Sequence, residues 1–361
     1  MKILFVIARL NKGGTAQYIG ELAQQLPKYG YQVLIATGFV QGQEIEDEIT
    51  IKLPIKRIKN LGRKIDPIKD LKARTELKNL IYDFKPDLIY SHTFKAGALT
   101  RSIKTEIPII HAFHGHLLDE PELAGAKVKL ATAIEKILAP RAKYLVTVGK
   151  KVADDLLKKG VGLKSQYVSI APGVHPLKLE KKSTARKALK LELEKRPIIV
   201  WLARVVAVKG PEKVIGLADA IPEARFLMAG GGDLFNQIKA KAPKNLTLVG
   251  WQPASRMWSI ADIAISTSAN EGIPVALIEA QLAGVPVIAL DAGSVKEVIA
   301  NKKSGFIFNK CDQNYISLLK KLSKEKILRK KLGNYGEEYA KKEFDPERLV
   351  QDHLKLFKKT I

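Results

Sequence analysis

Short runs of apolar, β-branched residues alternate with longer helical patterns along most of the chain. Runs of this kind are typical of parallel strands that crossover helices bury on both faces. The pattern predicts strands at residues 3–8, 32–37, 88–91, 108–113, 144–148, 167–170, 197–203, 225–229, 246–249, 263–266, 285–289 and 306–308. We therefore expect an α/β protein with two doubly wound, Rossmann-like parallel sheets.

The strand rhythm breaks at Pro172-Gly173 and returns only at Pro197. Between them, the Lys-rich stretch 178–195 has little apolar periodicity, which predicts a linker. We assign residues 1–178 to an N-terminal domain, 179–340 to a C-terminal domain and 341–361 to a helix packing back on the N-terminal domain. The last of these belongs to a stretch, 327–361, that predicts two Lys-rich helices around Asp345-Pro346. Because ligands of doubly wound folds bind at the carboxyl ends of strands, we expect the active site in the cleft between the domains.

Length and composition fit two soluble globular domains, with 361 residues, 46% hydrophobic and 27% charged. No apolar run approaches the ~20 residues that span a bilayer, and the opening MKILFVIARL lacks the features of a signal peptide. We therefore expect a cytoplasmic protein. Its single cysteine, Cys311, offers neither an internal disulfide nor a cysteine zinc site.

Basic residues outnumber acidic ones by 61 to 37, a net charge of +24. Such a surplus suits a polyanion, an anionic membrane surface or phosphorylated small molecules, but it also fits solvated lysine faces. The chain has no zinc-finger spacing, aromatic RNA-binding signature or Arg-Gly tract, which argues against nucleic acid as a partner. The Lys-rich stretch 127–143 favours contact with the inner face of a membrane.

A glycine pair, Gly13-Gly14, follows the first predicted strand and precedes a helical pattern. Glycines there let the backbone approach a phosphate, and a helix N-terminus favours an anion. The dinucleotide fingerprint is incomplete, because Ala36-Thr37-Gly38 stands where an acidic residue is needed. This disfavours nicotinamide and flavin dehydrogenases, and the missing G-x-x-x-x-G-K-[ST] disfavours P-loop NTPases.

Two cations, Arg204 and Lys209, lie in the loop after the strand that ends at Ala203. A guanidinium fork and an ammonium at the carboxyl end of a strand suit a diphosphate and would stabilise it as it leaves. A solvated basic loop is the alternative.

Two carboxylates, Glu271 and Glu279, bracket the start of a predicted helix over 276–283. Pro274 suits its first position, which places Glu271 just before the helix and Glu279 about one turn or more inside. Both could accept hydrogen bonds from sugar hydroxyls, while free N–H groups near Val275 face a phosphate. For Glu279 the alternative is a structural pair with a neighbouring arginine.

These residues together resemble glycosyltransferase family 4. The resemblance is carried by Arg204 through Lys209-Gly210, the run 229–233 (AGGGD), the run 271–289 (EGIPVALIEAQLAGVPVIA), and Asp291-Ala292-Gly293 with Glu297 and Gly305-Phe306. It implies the GT-B fold, retention of anomeric configuration, no metal or other cofactor, and a UDP-, GDP- or ADP-sugar as substrate. A glycan or lipid-linked acceptor in cell-surface polysaccharide synthesis follows as the expected partner.

The resemblance also implies roles for individual residues. Arg204 and Lys209 would hold the diphosphate, Glu279 the ribose hydroxyls and Glu271 the donor sugar. With His114 added, the expected catalytic residues are His114, Arg204, Lys209 and Glu271. The expected donor-binding residues are Gly13, Gly14, Gly231, Gly232, Trp251, Glu271, Gly272, Ile273, Pro274, Val275 and Glu279.

Three histidines lie in the run 111–116 (HAFHGH), at the end of a predicted strand. Family members typically have a His-Gly pair here, which matches His114-Gly115 and sets the imidazole near the transferred sugar, with His116 as an extra histidine. Strand alternation puts His111 on the opposite face from His114 and His116, which argues against a metal site.

Two other functions remain open from the sequence. An epimerase of GT-B fold acting on a UDP-sugar would interconvert its donor without transferring sugar to an acceptor. A non-catalytic polyanion-binding protein would exploit the charge of +24 and turn over no donor.

Overall fold

The computed structural model describes residues 1–42, 44–62, 65–115 and 126–361. Within these residues the chain forms two compact units. Unit 1 comprises Met1–Gly173 and Pro346–Ile361, and unit 2 comprises Val174–Asp345.

Both units consist of parallel strands joined by helices. The strands are β1 Lys2–Ile7, β2 Gln32–Thr37, β3 Ile55–Arg57, β4 Leu88–His92, β5 Ile109–Phe113, β6 Tyr144–Thr147, β7 Tyr167–Ser169, β8 Ile198–Leu202, β9 Arg225–Ala229, β10 Leu246–Gly250, β11 Ile263–Ser266, β12 Val287–Leu290 and β13 Gly305–Phe308. The helices are α1 Gly14–Gln25, α2 Pro67–Phe84, α3 Phe94–Ser102, α4 Ala126–Leu138, α5 Lys150–Lys158, α6 Lys182–Ala188, α7 Pro211–Ala220, α8 Phe235–Lys241, α9 Ala254–Ile260, α10 Val275–Leu282, α11 Val295–Val298, α12 Gln313–Lys324, α13 Lys326–Glu343 and α14 Pro346–Thr360.

The sheet of unit 1 has the order β3-β2-β1-β4-β5-β6-β7, and that of unit 2 the order β10-β9-β8-β11-β12-β13. Neighbouring strands are parallel, with Ile3 of β1 in register with Val33 and Leu88 on either side. The strand order reverses between β1 and β4 in unit 1 and between β8 and β11 in unit 2. Because ligands of such sheets bind beyond the carboxyl ends of the strands at this reversal, each sheet has one edge where a ligand is expected. The predicted pair of doubly wound parallel sheets is confirmed.

The sequence pattern missed β3. This strand lies at the edge of its sheet, pairs only with β2, and has an exposed Lys56 between its half-buried ends. A strand of three residues with two basic side chains has too little apolar signal to be found by periodicity.

The predicted linker over 178–195 was partly wrong. Residues Lys182–Ala188 form α6, which packs against α9, and Ala185 and Leu191 are buried. A helix of about two turns offers few apolar positions, so the lysines of α6 mask it in the sequence. The two Lys-rich helices predicted around Asp345-Pro346 are confirmed as α13 and α14.

Helix α14 is part of unit 1, although unit 2 precedes it in the chain. Nε2 of its buried His353 lies 3.1 Å from the hydroxyl oxygens of both Tyr18 and Tyr90, and its Nδ1 donates to the Leu349 carbonyl at 2.8 Å. These contacts tie α14 to α1 and β4. Among the described helices, none is long and apolar enough to cross a membrane.

Candidate active site

The loop after β8 presents the first predicted cation, Arg204. Its side chain is exposed and forms no hydrogen bond or ion pair with a described residue. Five residues later, Lys209 is the last residue of a 3₁₀ turn. Thr267, which directly follows β11, forms a hydrogen bond with this turn. Thr267 Oγ1 accepts from the Trp201 indole at 3.0 Å and lies 3.0 Å from the carbonyl oxygen of Lys209. Hydrogen bonds through Thr267 to Trp201 of the sheet therefore fix the backbone at Lys209.

Lys209 and Glu271 are brought into direct contact. Lys209 Nζ lies 2.7 Å from Glu271 Oε2, while Ser268 Oγ donates to Glu271 Oε1 at 2.7 Å. Both ends of the carboxylate are thus fixed. Gly293, after β12, has a φ of +54°, and a Cβ there would lie 1.7 Å from the backbone oxygen of Glu271. A glycine is required at that position, because any side chain would push the two loops apart.

Helix α10 begins at Val275, with Pro274 as the residue before the helix rather than its first residue as predicted. The difference of one residue leaves the geometry of the turn intact, since Leu277 and Ile278 donate to the Pro274 carbonyl. The N–H groups of Val275 and Ala276 have no acceptor within the helix, as at any helix start. Gly272 and Ile273 join this start to Glu271 and are partly exposed.

Glu279 is the fifth residue of α10 and only 7% exposed. It forms no ion pair with a described residue, so the arginine partner that the sequence left open is not found among them. Burial raises the pKa of Glu279 to about 7, and the neighbouring Trp258 indole limits the rise. Trp258 Nε1 is itself buried without an acceptor at hydrogen-bonding geometry. A buried carboxylate without a cation is costly, and this cost is the reason for the raised pKa of Glu279.

The glycine run after β9 packs beside the Arg204 loop. Val205 N–H donates to the Gly231 carbonyl at 2.9 Å. A Cβ at Gly231 would lie 2.5 Å from Trp251 Nε1, and one at Gly232 2.6 Å from the carbonyl oxygen of Val205. Trp251, just after β10, is 43% exposed and so offers a ring surface beside this loop.

In unit 1, the predicted glycine loop follows β1. Gly13 directly precedes α1, with a φ of +150° and open space where a Cβ would point, and Gly14 is the first helical residue. The Gly13 carbonyl accepts from Ala16 N–H at 3.1 Å. The loop leaves room for a ligand to approach the backbone, but no described contact joins it to the histidines.

His114 follows β5 and is half-buried. Its Nε2 lies 3.0 Å from Nδ1 of His92, and its ring packs edge-on against Tyr18 with centroids 5.0 Å apart. Burial, with a smaller effect of His353, lowers the pKa of His114 to about 3. The imidazole is therefore neutral at physiological pH.

His111 points away from His114, as strand alternation predicted. Its Nδ1 lies 3.0 Å from Ser91 Oγ, and its ring fills the space above Gly97. His116 lies outside the described residues. Within the described ranges, no three His, Cys, Asp or Glu side chains are placed to hold a metal ion together.

Sequence reasoning missed several residues that contact the predicted ones, among them Ser268, Trp258 and His92. His92 offers one signal in the sequence, because it directly follows the strand predicted at 88–91. Ser268 precedes Glu271 by three residues, a spacing with no chemical meaning before the loop conformation is known. Trp258 lies on another helix, so only the fold brings it to Glu279.

Two doubly wound parallel sheets, one with a charged and glycine-rich carboxyl edge, define the GT-B class of α/β proteins. Residues 12–176 match the family described as Glycosyltransferase Family 4, and residues 183–339 match Glycosyl transferases group 1. The chain belongs to glycosyltransferase family 4.

Characterised relatives and solved structures agree with this assignment. An Escherichia coli UDP-Gal:alpha-D-GlcNAc-diphosphoundecaprenol alpha-1,3-galactosyltransferase is 24% identical over 75% of this chain and 75% of its own. The sucrose-phosphate synthase of Thermosynechococcus elongatus superposes with a TM-score of 0.86 at 18% identity, covering 99% of this chain and 98% of that one. HepE of Anabaena, in complex with UDP and glucose, gives 0.85 at 17% identity over 99% of this chain and all of that one. At these identities the solved structures establish the fold alone.

Proposed function

We propose that this glycosyltransferase is a retaining, metal-independent hexosyltransferase that takes its sugar from a UDP- or GDP-sugar. The acceptor is a glycan or a lipid-linked glycan in cell-surface polysaccharide synthesis. The observation that carries the proposal is the edge of unit 2, where loops and a helix that follow neighbouring strands bring together a fixed Lys209–Glu271 pair and a buried Glu279. The same edge exposes Arg204, which has no ion-pair partner among the described residues.

In this proposal, each residue binds a different part of the nucleotide-sugar donor. Arg204 and Lys209 bind the diphosphate, and the first N–H groups of α10 add positive potential to it. Lys209 has three N–H bonds and can keep Glu271 while it binds a phosphate oxygen. Glu279 accepts from the ribose hydroxyls and Glu271 from a hydroxyl of the sugar. Gly231, Gly232 and Trp251 lie beside the base or phosphates.

The reaction breaks the bond between the anomeric carbon and the diphosphate, and the acceptor hydroxyl attacks from the same face. The departing phosphate oxygen takes the acceptor's proton, so configuration is retained without a carboxylate nucleophile. Cationic groups are what this step requires, because negative charge grows on the leaving phosphate. Arg204 and Lys209 supply that charge, which is why we propose catalysis without a metal.

Two similarities support the donor and acceptor. The Escherichia coli relative is named for a UDP-sugar donor and a diphosphoundecaprenol-linked acceptor, and HepE was solved with UDP and glucose. A lipid-linked acceptor would be met at a membrane surface on the cytoplasmic side.

Helix α4 offers a face for such a surface. Ala131 and Leu138 point into unit 1, and a buried ion pair of 2.8 Å between Glu135 and Arg101 fixes the helix. The opposite side exposes Leu130 and Ile137, which are 62% and 71% accessible. Lysines 127, 129 and 136 are also exposed. Apolar and basic side chains on one exposed face are typical of helices that lie on anionic bilayers.

The proposal is tested by a screen of nucleotide sugars for thermal stabilisation, followed by transfer assays with the hits. A ligand at about 100 times its Kd should add roughly 2.7 kcal/mol to the stability of the fold that binds it. Nuclear magnetic resonance of the product should show the donor's anomeric configuration, and EDTA should leave the rate unchanged. Inverted product or loss of activity in EDTA would refute the corresponding part. Donor interconversion without transfer would favour an epimerase, and polyanion binding without any turnover a non-catalytic protein.

A further inference from the structure

His92 lies where the strand order of unit 1 reverses. It is the last residue of β4, fully buried, with its Nδ1 3.0 Å from Nε2 of His114 on the neighbouring strand's end. Nothing in the family assignment or the sequence pattern gives His92 a function.

Packing holds both rings in this orientation. The ring of Tyr90 lies 4.2 Å from that of His92, and Phe5 meets His92 edge-on at 5.5 Å. Tyr18 packs against the edge of His114 at 5.0 Å. Since these aromatic neighbours are core residues, neither imidazole can turn without disturbing them.

Both imidazoles are neutral. Burial lowers the pKa of His92 well below its usual value, and the nearby imidazoles of His114 and His353 lower it further. Burial, with a smaller effect of His353, lowers the pKa of His114 to about 3. Two neutral imidazoles in contact share one proton, so one donates and the other accepts.

The second nitrogen of His92 decides which one donates. His92 Nε2 is buried and has no partner among the described residues. If His114 donated, His92 would have to carry its own proton on Nε2, as a buried N–H without an acceptor. If His92 donates from Nδ1, Nε2 keeps only an unused lone pair. Orphaned buried N–H groups are rarer than under-satisfied acceptors, because the N–H loses a stronger interaction with water.

We infer that His92 is a positioning residue that donates from Nδ1 to His114 and thereby fixes the proton of His114 on its own Nδ1. His114 then offers its ligand a neutral hydrogen-bond donor and has no free nitrogen with which to act as a base. The ligand atom is an oxygen acceptor, such as a sugar hydroxyl. This inference rests on the proposed function for the identity of that ligand, but not for the position of the proton.

A neutral donor suits the proposed reaction. The transferred sugar becomes positively charged in an oxocarbenium-like transition state, which an imidazolium beside it would repel. A donor without net charge binds a hydroxyl oxygen and avoids that repulsion.

The position of the proton can be measured directly. Long-range ¹H–¹⁵N spectra of the full-length, ¹⁵N-labelled protein distinguish a protonated Nδ1 from a protonated Nε2, and loss of one signal set in His114→Gln assigns His114. We expect Nδ1–H in the wild type and in His92→Asn, whose side-chain amide can take the place of Nδ1. In His92→Leu, His114 should move towards the Nε2–H form. A wild-type His114 protonated on Nε2 would overturn the inference, as would an unchanged proton position in His92→Leu.

Transfer kinetics give a second readout. His92→Leu should lower kcat roughly tenfold with little change in KM, and His92→Asn should restore most of it. Equal losses in both variants would show that His92 only supports the fold. If His92→Leu does not fold, the spectra of the wild type and of His92→Asn still decide the question. If no donor is turned over by the wild type, the proposed function fails while the proton position is still measured.

Discussion

In unit 2 the loops after β8 and β11 carry charged side chains at the candidate site, whereas in unit 1 the neighbouring ends of β4 and β5 carry the neutral rings of His92 and His114. Lys209 and Glu271 stay partly exposed and paired, and Arg204 is open to solvent. His92 and His353 are buried and uncharged at neutral pH. The same topology therefore supports two kinds of recognition: one edge suits an anion, and the other suits hydroxyl groups in a medium of low dielectric constant.

The largest effect is expected from removing the cations of unit 2. Arg204→Ala and Lys209→Ala should each lower kcat/KM about 10²–10³-fold, because a fixed charge at the leaving group is lost. Lys209→Ala should be the worse of the two, since it also leaves Glu271 unpaired beside the diphosphate. Steady-state release of the nucleoside diphosphate measures both.

The matched control is Lys239→Ala, which removes an exposed lysine from α8 of the same unit. It should stay within about twofold of the wild type, as expected for an unpaired surface charge. Should it lose as much as Lys209→Ala, the charge of the unit as a whole rather than the charge of this edge would be responsible.

Variants of the two carboxylates of unit 2 should differ in which ligand they bind more weakly. Glu279→Ala should weaken free nucleoside diphosphate and nucleotide sugar alike, by roughly 1.5–3 kcal/mol, since both contain ribose. Glu271→Ala should weaken the nucleotide sugar, yet leave the free nucleotide bound as well as before or better, because Lys209 loses its competing partner. Calorimetry with both ligands gives the four affinities. Unchanged nucleotide binding in Glu279→Ala would mean that this carboxylate is structural.

The raised pKa of Glu279 gives unit 2 a pH dependence opposite in sign to that of His92, His114 and His353 in unit 1, whose lowered pKa values make the fold more stable as pH rises. The folded pKa of about 7 exceeds the usual 4.5, so the protonated form stabilises the fold below about pH 4.5, and this contribution is lost as pH rises through 7. The loss amounts to about 3 kcal/mol at most. The thermal midpoint of the wild type should therefore fall relative to that of Glu279→Gln between these pH values. Nucleotide affinity should rise over the same interval in the wild type relative to Glu279→Gln, since the carboxylate is the better acceptor. Parallel curves for the two proteins would contradict the assignment.

The smallest effect concerns the outer face of α4 in unit 1. Leu130→Ser with Ile137→Ser should reduce sedimentation with anionic vesicles roughly fivefold at physiological salt, because apolar area no longer enters the interface. Neutral vesicles should bind the wild type less well. As the control, Ile327→Ser removes an even more exposed apolar side chain from α13 of unit 2 and should change nothing. Equal binding to neutral and anionic vesicles would rule out an electrostatic contribution.

Much of the fold was predictable because buried parallel strands leave continuous apolar runs, as at β8 and β9. Strand β3 and helix α6 were not, since both are short and basic. In each case tertiary packing rather than local sequence determines the structure.

The candidate site was predictable to the extent that its residues follow strands directly. Arg204 and His114 could be located in this way. The Lys209–Glu271 pair could not, because nothing in the spacing of two distant loops shows that β8 and β11 are neighbours. The contact of His92 with His114 depends likewise on β4 and β5 lying side by side.

The position of α14 has a consequence for how the protein is made. Unit 1 is left unfinished when Gly173 has been synthesised, and its missing helix follows only after all of unit 2. At about 5–20 residues per second, translation of the intervening segment takes roughly 10–35 seconds. Throughout that interval the hydroxyl groups of Tyr18 and Tyr90 lack their contact with His353. The apolar surface that α14 covers in the complete fold is then exposed to solvent. The nascent chain should therefore be a substrate for ribosome-associated chaperones until its C-terminal helix has been translated.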